Sequence, residues 1–208
     1  MRSKTVQTRL AVTLAIFCFV WWTATVVALP SLRSDGYDPV EQAISELALG
    51  RFGTLMDVAF FALGIGGLAL AFALYSSFHR TPVAPLLLGV AGLLWFLLGI
   101  FQTGPDGLAT GIEAVLHGAI ASMSFLLIVV VMFLFARRFR RDSRWRPFAL
   151  PTLVWAVVAV AAFLSIPLLG QEAFGVSERL FVAAWLSWLL VTAVRLRSLT
   201  TRSTAPNE

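Results

Sequence analysis

Six long apolar segments, separated by short polar stretches, run through this chain of 208 residues. They cover residues 10–29, 54–75, 83–101, 110–136, 148–169 and 178–196. Each is close to the roughly 17–25 residues that an α-helix needs to cross a bilayer. The sequence therefore predicts an all-α, polytopic membrane protein. Its single integral membrane domain, residues 1–208, is expected to be a six-transmembrane-helix bundle.

The charges between these segments are sorted by sign. If the segments cross the membrane in turn, one side holds both termini and thirteen of the sixteen Lys and Arg residues. Nine of the eleven carboxylates fall on the opposite side, or in the first turns of helices that begin there. Cationic flanks are retained in the cytoplasm during insertion. The pattern therefore predicts a multi-pass plasma-membrane protein with both termini cytoplasmic and its acidic loops outside.

The composition excludes most soluble classes. Mean hydropathy is +0.85 and 59% of residues are apolar, whereas only 13% are charged. The isoelectric point near 10.6 would suggest a nucleic-acid partner in a soluble protein. Here the basic residues flank spans in short clusters without an interleaved aromatic face, so we expect no nucleic-acid partner. Most tryptophans fall in the outer thirds of spans, as interfacial aromatic residues do.

The polar segment 30–53 contains a helix signal. Asp38 is a favourable helix cap and Pro39 suits the first helical position. Apolar residues then recur on one face, and Gly50 ends the pattern. The sequence predicts a short extracytoplasmic amphipathic helix over 39–49, lying on the outer surface of the bundle.

A second polar segment, 137–146, contains six arginines in ten residues. One interpretation is a topology anchor that is also attracted to anionic lipid. The alternative is a specific site for a lipid headgroup or a partner.

Small residues recur at a spacing of four, as in the pairs Ala62 with Gly66 and Gly118 with Ser122. Such residues let helix backbones approach closely in lipid. They serve either packing within the chain or self-association into a homo-oligomer.

Ionisable and polar side chains converge on the acidic side of the predicted bundle. Ionisable groups within spans are costly and therefore call for an explanation. The candidates for catalysis are Asp106, Glu113, His117 and Glu178. The candidates for ligand binding are Ser45, Glu46, Asp57, Gln102 and Arg179. Because Glu113 and His117 lie four residues apart on one helical face, we expect them to form a hydrogen-bonded pair.

Each candidate also has a structural interpretation. A carboxylate in a first helical turn, such as Asp57, Glu113 or Glu178, complements the helix dipole without any further role. A lone intramembrane His is often a hydrogen-bonded packing residue, and Arg179 would pair with a nearby carboxylate. The joint convergence of these groups is stronger than any one of them.

The residue types restrict the chemistry. One His among carboxylates is a poor zinc site, so we expect no metal and no cofactor. A carboxylic acid held in an apolar bundle suits general acid chemistry on a lipid or isoprenoid. Three classes of function follow. The first is the binding of a small or lipidic ligand in an outer-leaflet pocket, the second a membrane-embedded acid–base enzyme, and the third a small transporter or channel subunit. Membrane lipids are the expected partners in each.

Four fragments together resemble the bacterial and archaeal membrane proteins grouped as domain of unknown function 998. The fragments are Tyr37-Asp38-Pro39 leading to Ile44-Ser45-Glu46-Leu47, Gly99-Ile100-Phe101 leading to Pro105-Asp106, Leu116-His117-Gly118, and Gly175-Val176-Ser177-Glu178-Arg179. The resemblance extends from about Leu10 to Arg197. It implies a compact six-helix membrane protein and no particular activity.

Overall fold

The computed structural model describes residues 2–78, 82–105 and 111–202. Six α-helices dominate these residues, together with two short 3₁₀ helices, Ile44–Ala48 and Gln171–Ala173, and the described ranges contain no strand. The α-helices are α1 (Arg2–Leu32), α2 (Gly53–Ser77), α3 (Val83–Leu98), α4 (Ile112–Phe139), α5 (Arg146–Leu169) and α6 (Phe174–Arg202). All but α3 are long and apolar enough to cross a membrane. The predicted all-α membrane bundle is confirmed.

The helices form a closed ring in sequence order. Each packs against its neighbours in the chain, and α6 returns to pack against α1. The Arg9 guanidinium of α1 donates to the backbone carbonyl of Thr200 in α6, at 2.8 Å, which ties the ring closed. The 33–52 loop and the start of α6 lie at one end of the bundle, here called the acidic end. Residues 137–146 lie at the other, the arginine-rich end.

The contact between α2 and α3 depends on glycines. A Cβ atom on Gly92 would lie 2.8 Å from the backbone nitrogen of Leu68 and 3.0 Å from the carbonyl oxygen of Gly64. Gly66, one of the small residues predicted to serve packing or self-association, faces α1, where a Cβ would lie 2.8 Å from the Phe19 ring. Packing within the chain therefore accounts for both Gly66 and Gly92.

The predicted surface helix over 39–49 is much shorter in the structure. Residues 38–42 form a turn, in which the Val40 N–H donates to the Asp38 carboxylate at 2.7 Å. Only Ile44–Ala48 is helical, as a 3₁₀ helix. The physical reason is that Glu46 does not stay on a solvated face. Its side chain is buried and accepts the backbone N–H of Ala43 at 2.9 Å. That N–H is therefore not bonded to the preceding turn, and the helix begins only at Ile44.

Aromatic side chains fill the arginine-rich end. Trp145 stacks on Phe139 with ring centroids 4.4 Å apart, and the Arg195 guanidinium lies over Trp145. Phe78 joins the same cluster beneath the guanidinium of Arg138. Packed aromatic rings therefore fill the interior of the bundle at this end.

Candidate functional site

A cavity of about 190 Å³ lies at the acidic end of the ring, beneath the 3₁₀ helix Ile44–Ala48. Helices α1, α2, α3, α4 and α6 all contribute to its walls, whereas α5 does not. Its aromatic lining residues are Trp22, Phe60, Trp95, Phe125, Phe174 and Trp185. Its polar lining residues are Ser45, Thr103, His117, Ser122 and Glu178. The cavity is therefore aromatic with a few polar groups, as small-molecule sites are.

The three tryptophans of the lining are nearly inaccessible to solvent. Trp22 is 4% exposed, and Trp95 and Trp185 are each 1% exposed. Within the described residues, none of their indole N–H groups has a hydrogen-bond partner. By contrast, Trp155 and Trp188, which lie between α5 and α6, donate to Ser187 and Thr152. A buried indole N–H usually finds an acceptor.

Trp95 and Trp185 form one continuous wall. Their rings stack 4.8 Å apart with an interplanar angle of 8°. Trp95 comes from the last turn of α3 and Trp185 from α6, so the stack joins helices that are not neighbours in the ring.

His117 is held by a hydrogen bond that fixes its tautomer. Its Nδ1 lies 2.7 Å from the backbone carbonyl of Phe101, in the turn that follows α3. Because a carbonyl only accepts, Nδ1 must carry a proton, so in the neutral ring Nε2 is the nitrogen that can accept. The ring is 5% exposed and meets Phe60 edge-on, with centroids 6.2 Å apart. His117 thus adds an acceptor to a cavity lining with unpartnered donors.

Glu178 joins α6 to the roof of the cavity. Its Oε2 accepts the backbone N–H of Ile44 at 2.7 Å, and the residue is 8% exposed. An unpaired N–H at the start of the 3₁₀ helix would cost about 1–3 kcal/mol if buried. Glu178 therefore has a structural role in addition to its place in the lining.

Arg179 fastens the same loop from outside the cavity. Its Nη1 donates to the carbonyls of Gln42 and Gly175 at 2.9 and 3.0 Å, and its Nη2 donates to the Tyr37 hydroxyl. The Tyr37 hydroxyl in turn donates to the Ala43 carbonyl at 2.9 Å. Burial raises the pKa of Tyr37 above its usual value, although the Arg179 charge opposes the shift. The phenol therefore keeps the proton that this bond needs.

Glu46 is occupied within the loop. Its carboxylate accepts from Gln42 Nε2 at 3.0 Å as well as from the Ala43 N–H. Its backbone carbonyl accepts from Arg33, which also binds Asp35 through two nitrogens at 2.8 and 2.7 Å. The bond from Arg33 lowers the pKa of Asp35. Glu46 and Arg179 thus hold the 33–52 loop in place and do not line the cavity.

The structure brings together three of the candidates from the sequence, Ser45, His117 and Glu178, in one lining. The expected pair of Glu113 with His117 is not formed, because the Nδ1 of His117 binds Phe101 and Glu113 is exposed in the first turn of α4. The other candidates stand apart. Asp57 is half-buried on α2 and outside the lining, Gln102 is exposed, and Asp106 lies outside the described residues.

Three comparisons with known proteins concern the family to which the chain belongs. Curated proteins and solved structures gave no match. Among the residues described, no group of three or more His, Cys, Asp or Glu side chains is placed to hold a metal ion. A scan against protein families matched one family over residues 15–195, under the description "Protein of unknown function (DUF998)". This match covers most of the chain and agrees with the resemblance seen in the sequence, so the protein belongs to the DUF998 family.

Proposed function

We propose that this membrane protein binds a small or lipidic ligand in the cavity at its acidic end. The observation that carries the proposal is the set of indole N–H groups of Trp22, Trp95 and Trp185, buried in the lining without an acceptor among the described residues. Each costs about 1–3 kcal/mol while it stays unsatisfied. A bound acceptor would recover that free energy.

The size and lining of the cavity define the class of ligand. Drug-sized ligands occupy roughly 300–1,000 Å³, so about 190 Å³ suits a small molecule or one end of a lipid. Indole donors and the Nε2 acceptor of His117 favour a group with both acceptor and donor character, such as a hydroxyl, on an apolar body. The aromatic walls would contact that body.

Access from the surrounding lipid is consistent with the packing of α4. Its first turns carry exposed apolar side chains, among them Ile112 at 72% and Val115 at 49%. Gly118 and Ser122 are exposed and also line the cavity. A ligand entering between α4 and the neighbouring helices would therefore pass from lipid into the cavity without crossing the polar loop.

The two other classes have weaker support. Acid–base catalysis has less support because the expected Glu113–His117 pair is not formed. The buried carboxylates of Glu46 and Glu178 are also engaged, since each accepts a backbone N–H. Transport would require a path through the bundle, and the aromatic cluster around Trp145 and Phe139 fills the arginine-rich end. Ligand binding needs neither feature.

The binding proposal predicts that a molecule other than bulk lipid remains bound after gentle purification. Mass spectrometry of the extracted protein would identify it. Trp95→Phe or Trp185→Phe keeps an aromatic side chain, although a smaller one, and removes the indole donor, so retention should fall at least about fivefold for each hydrogen bond lost. Trp145→Phe is the matched control, since its buried N–H also lacks a partner among the described residues but lies at the other end.

Three results would contradict this proposal. They are a purified chain that holds only bulk lipid and detergent, equal loss in all three variants, and no loss in any. Conversion of the retained molecule that stops in His117→Ala would instead identify an enzyme.

We further infer a plasma-membrane location, with the acidic end outside and both termini in the cytoplasm. The support is the charge sorting, with thirteen of sixteen basic residues on the arginine-rich side. In a Cys18→Ser background, a membrane-impermeant maleimide should label Ser34→Cys on intact cells. It should label Ser143→Cys only after permeabilisation, because Ser143 lies at the opposite, cytoplasmic end. Both serines are exposed, so accessibility within the protein does not distinguish them. The reverse pattern would invert the orientation.

A further inference from the structure

A second binding site is indicated at the arginine-rich end, between α4 and α5. A groove of about 790 Å³ lies there, and Arg137, Arg140 and Arg146 are part of its lining. Its apolar walls include Phe133, Leu150 and Leu153. The groove is separate from the acidic-end cavity, to which α5 contributes nothing.

The arginines of the groove differ from most of their neighbours. Arg144 pairs with Asp142 at 2.9 Å, Arg195 donates to the Arg144 carbonyl, and Arg138 lies over the Phe78 ring. The bond from Arg144 lowers the pKa of Asp142, so this carboxylate is ionised and already engaged. In the part of the chain that the structure describes, the guanidinium groups of Arg137, Arg140 and Arg146 form no hydrogen bond or ion pair. The groove therefore has a net positive charge without an internal counterion.

Charge and apolar surface are arranged along the groove as in a phospholipid. Phe133 precedes Arg137 by four residues on α4, so it lies about one turn deeper in the bundle. Leu150 follows Arg146 by four residues on α5, and Leu153 lies nearly one turn deeper still. Guanidinium groups thus occupy the level of lipid headgroups, with apolar side chains directly below at the level of the acyl chains.

We propose that this groove binds one anionic phospholipid. Guanidinium groups match phosphate oxygens through paired N–H donors, and three of them with no internal counterion favour a headgroup with net negative charge. The walls at Phe133, Leu150 and Leu153 hold the beginning of an acyl chain. This site is a specific form of the attraction to anionic lipid that any basic cluster exerts.

The test must distinguish lipid binding in the groove from nonspecific attraction by the positive charge of this end. The full chain is reconstituted in phosphatidylcholine nanodiscs containing a minor fraction of phosphatidylglycerol, and retained lipids are counted by native mass spectrometry. The wild type should retain one phosphatidylglycerol. The Arg137→Gln/Arg140→Gln variant should lower that retention at least tenfold, since a hydrogen bond to a charged group contributes about 1.5–3 kcal/mol.

The control is Arg141→Gln/Arg197→Gln, which removes the same charge from the same end at exposed arginines outside the groove lining. It should retain the lipid as the wild type does. Equal loss in the two double variants, or equal retention of phosphatidylcholine, would overturn the site. Glycerol 3-phosphate should not displace the lipid. If it does, the groove is a phosphate site and the acyl-chain part of the proposal is wrong.

Discussion

Gly175→Ala should release the 33–52 loop from α6 and lower the free energy of unfolding by about 1–3 kcal/mol, the usual cost of overpacking. A Cβ atom at this position would lie 2.3 Å from the Gln42 carbonyl oxygen and 2.7 Å from that of Pro39. These are backbone atoms, so no side-chain rotation relieves the contact. The loop must move, and the hydrogen bond from the Val176 N–H to the Val40 carbonyl, 2.9 Å long, would be lost.

The measurement is unfolding in mixed micelles, combined with proteolysis of the loop. Gly118→Ala is the control, because it is also a helical glycine at the acidic end and a Cβ there meets nothing within 4 Å. It should leave stability unchanged or raise it by roughly 0.5–1 kcal/mol through helix propensity. Equal effects of the two substitutions would show that the loop is not fastened at Gly175. Because the loop roofs the cavity, Gly175→Ala should also reduce ligand retention.

Gly92→Ala should separate α2 from α3 and destabilise the bundle by about 1–3 kcal/mol. The added methyl would lie 2.8 Å from the Leu68 backbone nitrogen and within 3.1 Å of the Gly67 carbonyl carbon. Helix association in lipid depends on this kind of close packing, since no hydrophobic force brings the helices together. The expected loss is seen as a lower denaturant midpoint of the monomer.

Gly89→Ala tests the same helix one turn away. Its Cβ would meet only the Ala71 side chain at 3.7 Å, which is an ordinary contact, so stability should be preserved. If Gly92→Ala instead left the monomer as stable as the wild type and changed only self-association, the glycine would serve a homo-oligomer. The packing role assigned to it here would then be wrong.

Hydropathy and charge predicted the bundle because they act at the scale of whole helices. The cost of exposing backbone groups to lipid leaves few alternatives to a helix across long apolar runs. The conformation of the 33–52 loop could not be predicted in this way, because it depends on contacts between residues that are distant in sequence. Glu46 turns inward and Ile44 is bound by Glu178, more than a hundred residues away. A local amphipathic pattern contains no information about either contact.

The candidate site was partly predictable for a related reason. His117 and Glu178 could be selected from the sequence because ionisable groups are rare within spans, and both line the cavity. Trp22, Trp95 and Trp185 did not, because tryptophan is common in membrane helices and most of these positions fit an interfacial role. Trp95 contacts Trp185 because α3 and α6 face each other across the interior of the ring of helices. A single sequence does not show which helices face each other.

The closed order of the helices has a consequence for biosynthesis. Trp185 and Glu178 belong to α6, which leaves the ribosome after the other five helices, whereas Trp22 belongs to α1, which leaves before them. The cavity therefore does not exist on a nascent chain. Until α6 inserts against α1, the 33–52 loop also lacks its contacts with Gly175 and Arg179. A product that stalls before α6 would therefore have neither the fixed loop above the cavity nor the wall that α6 contributes.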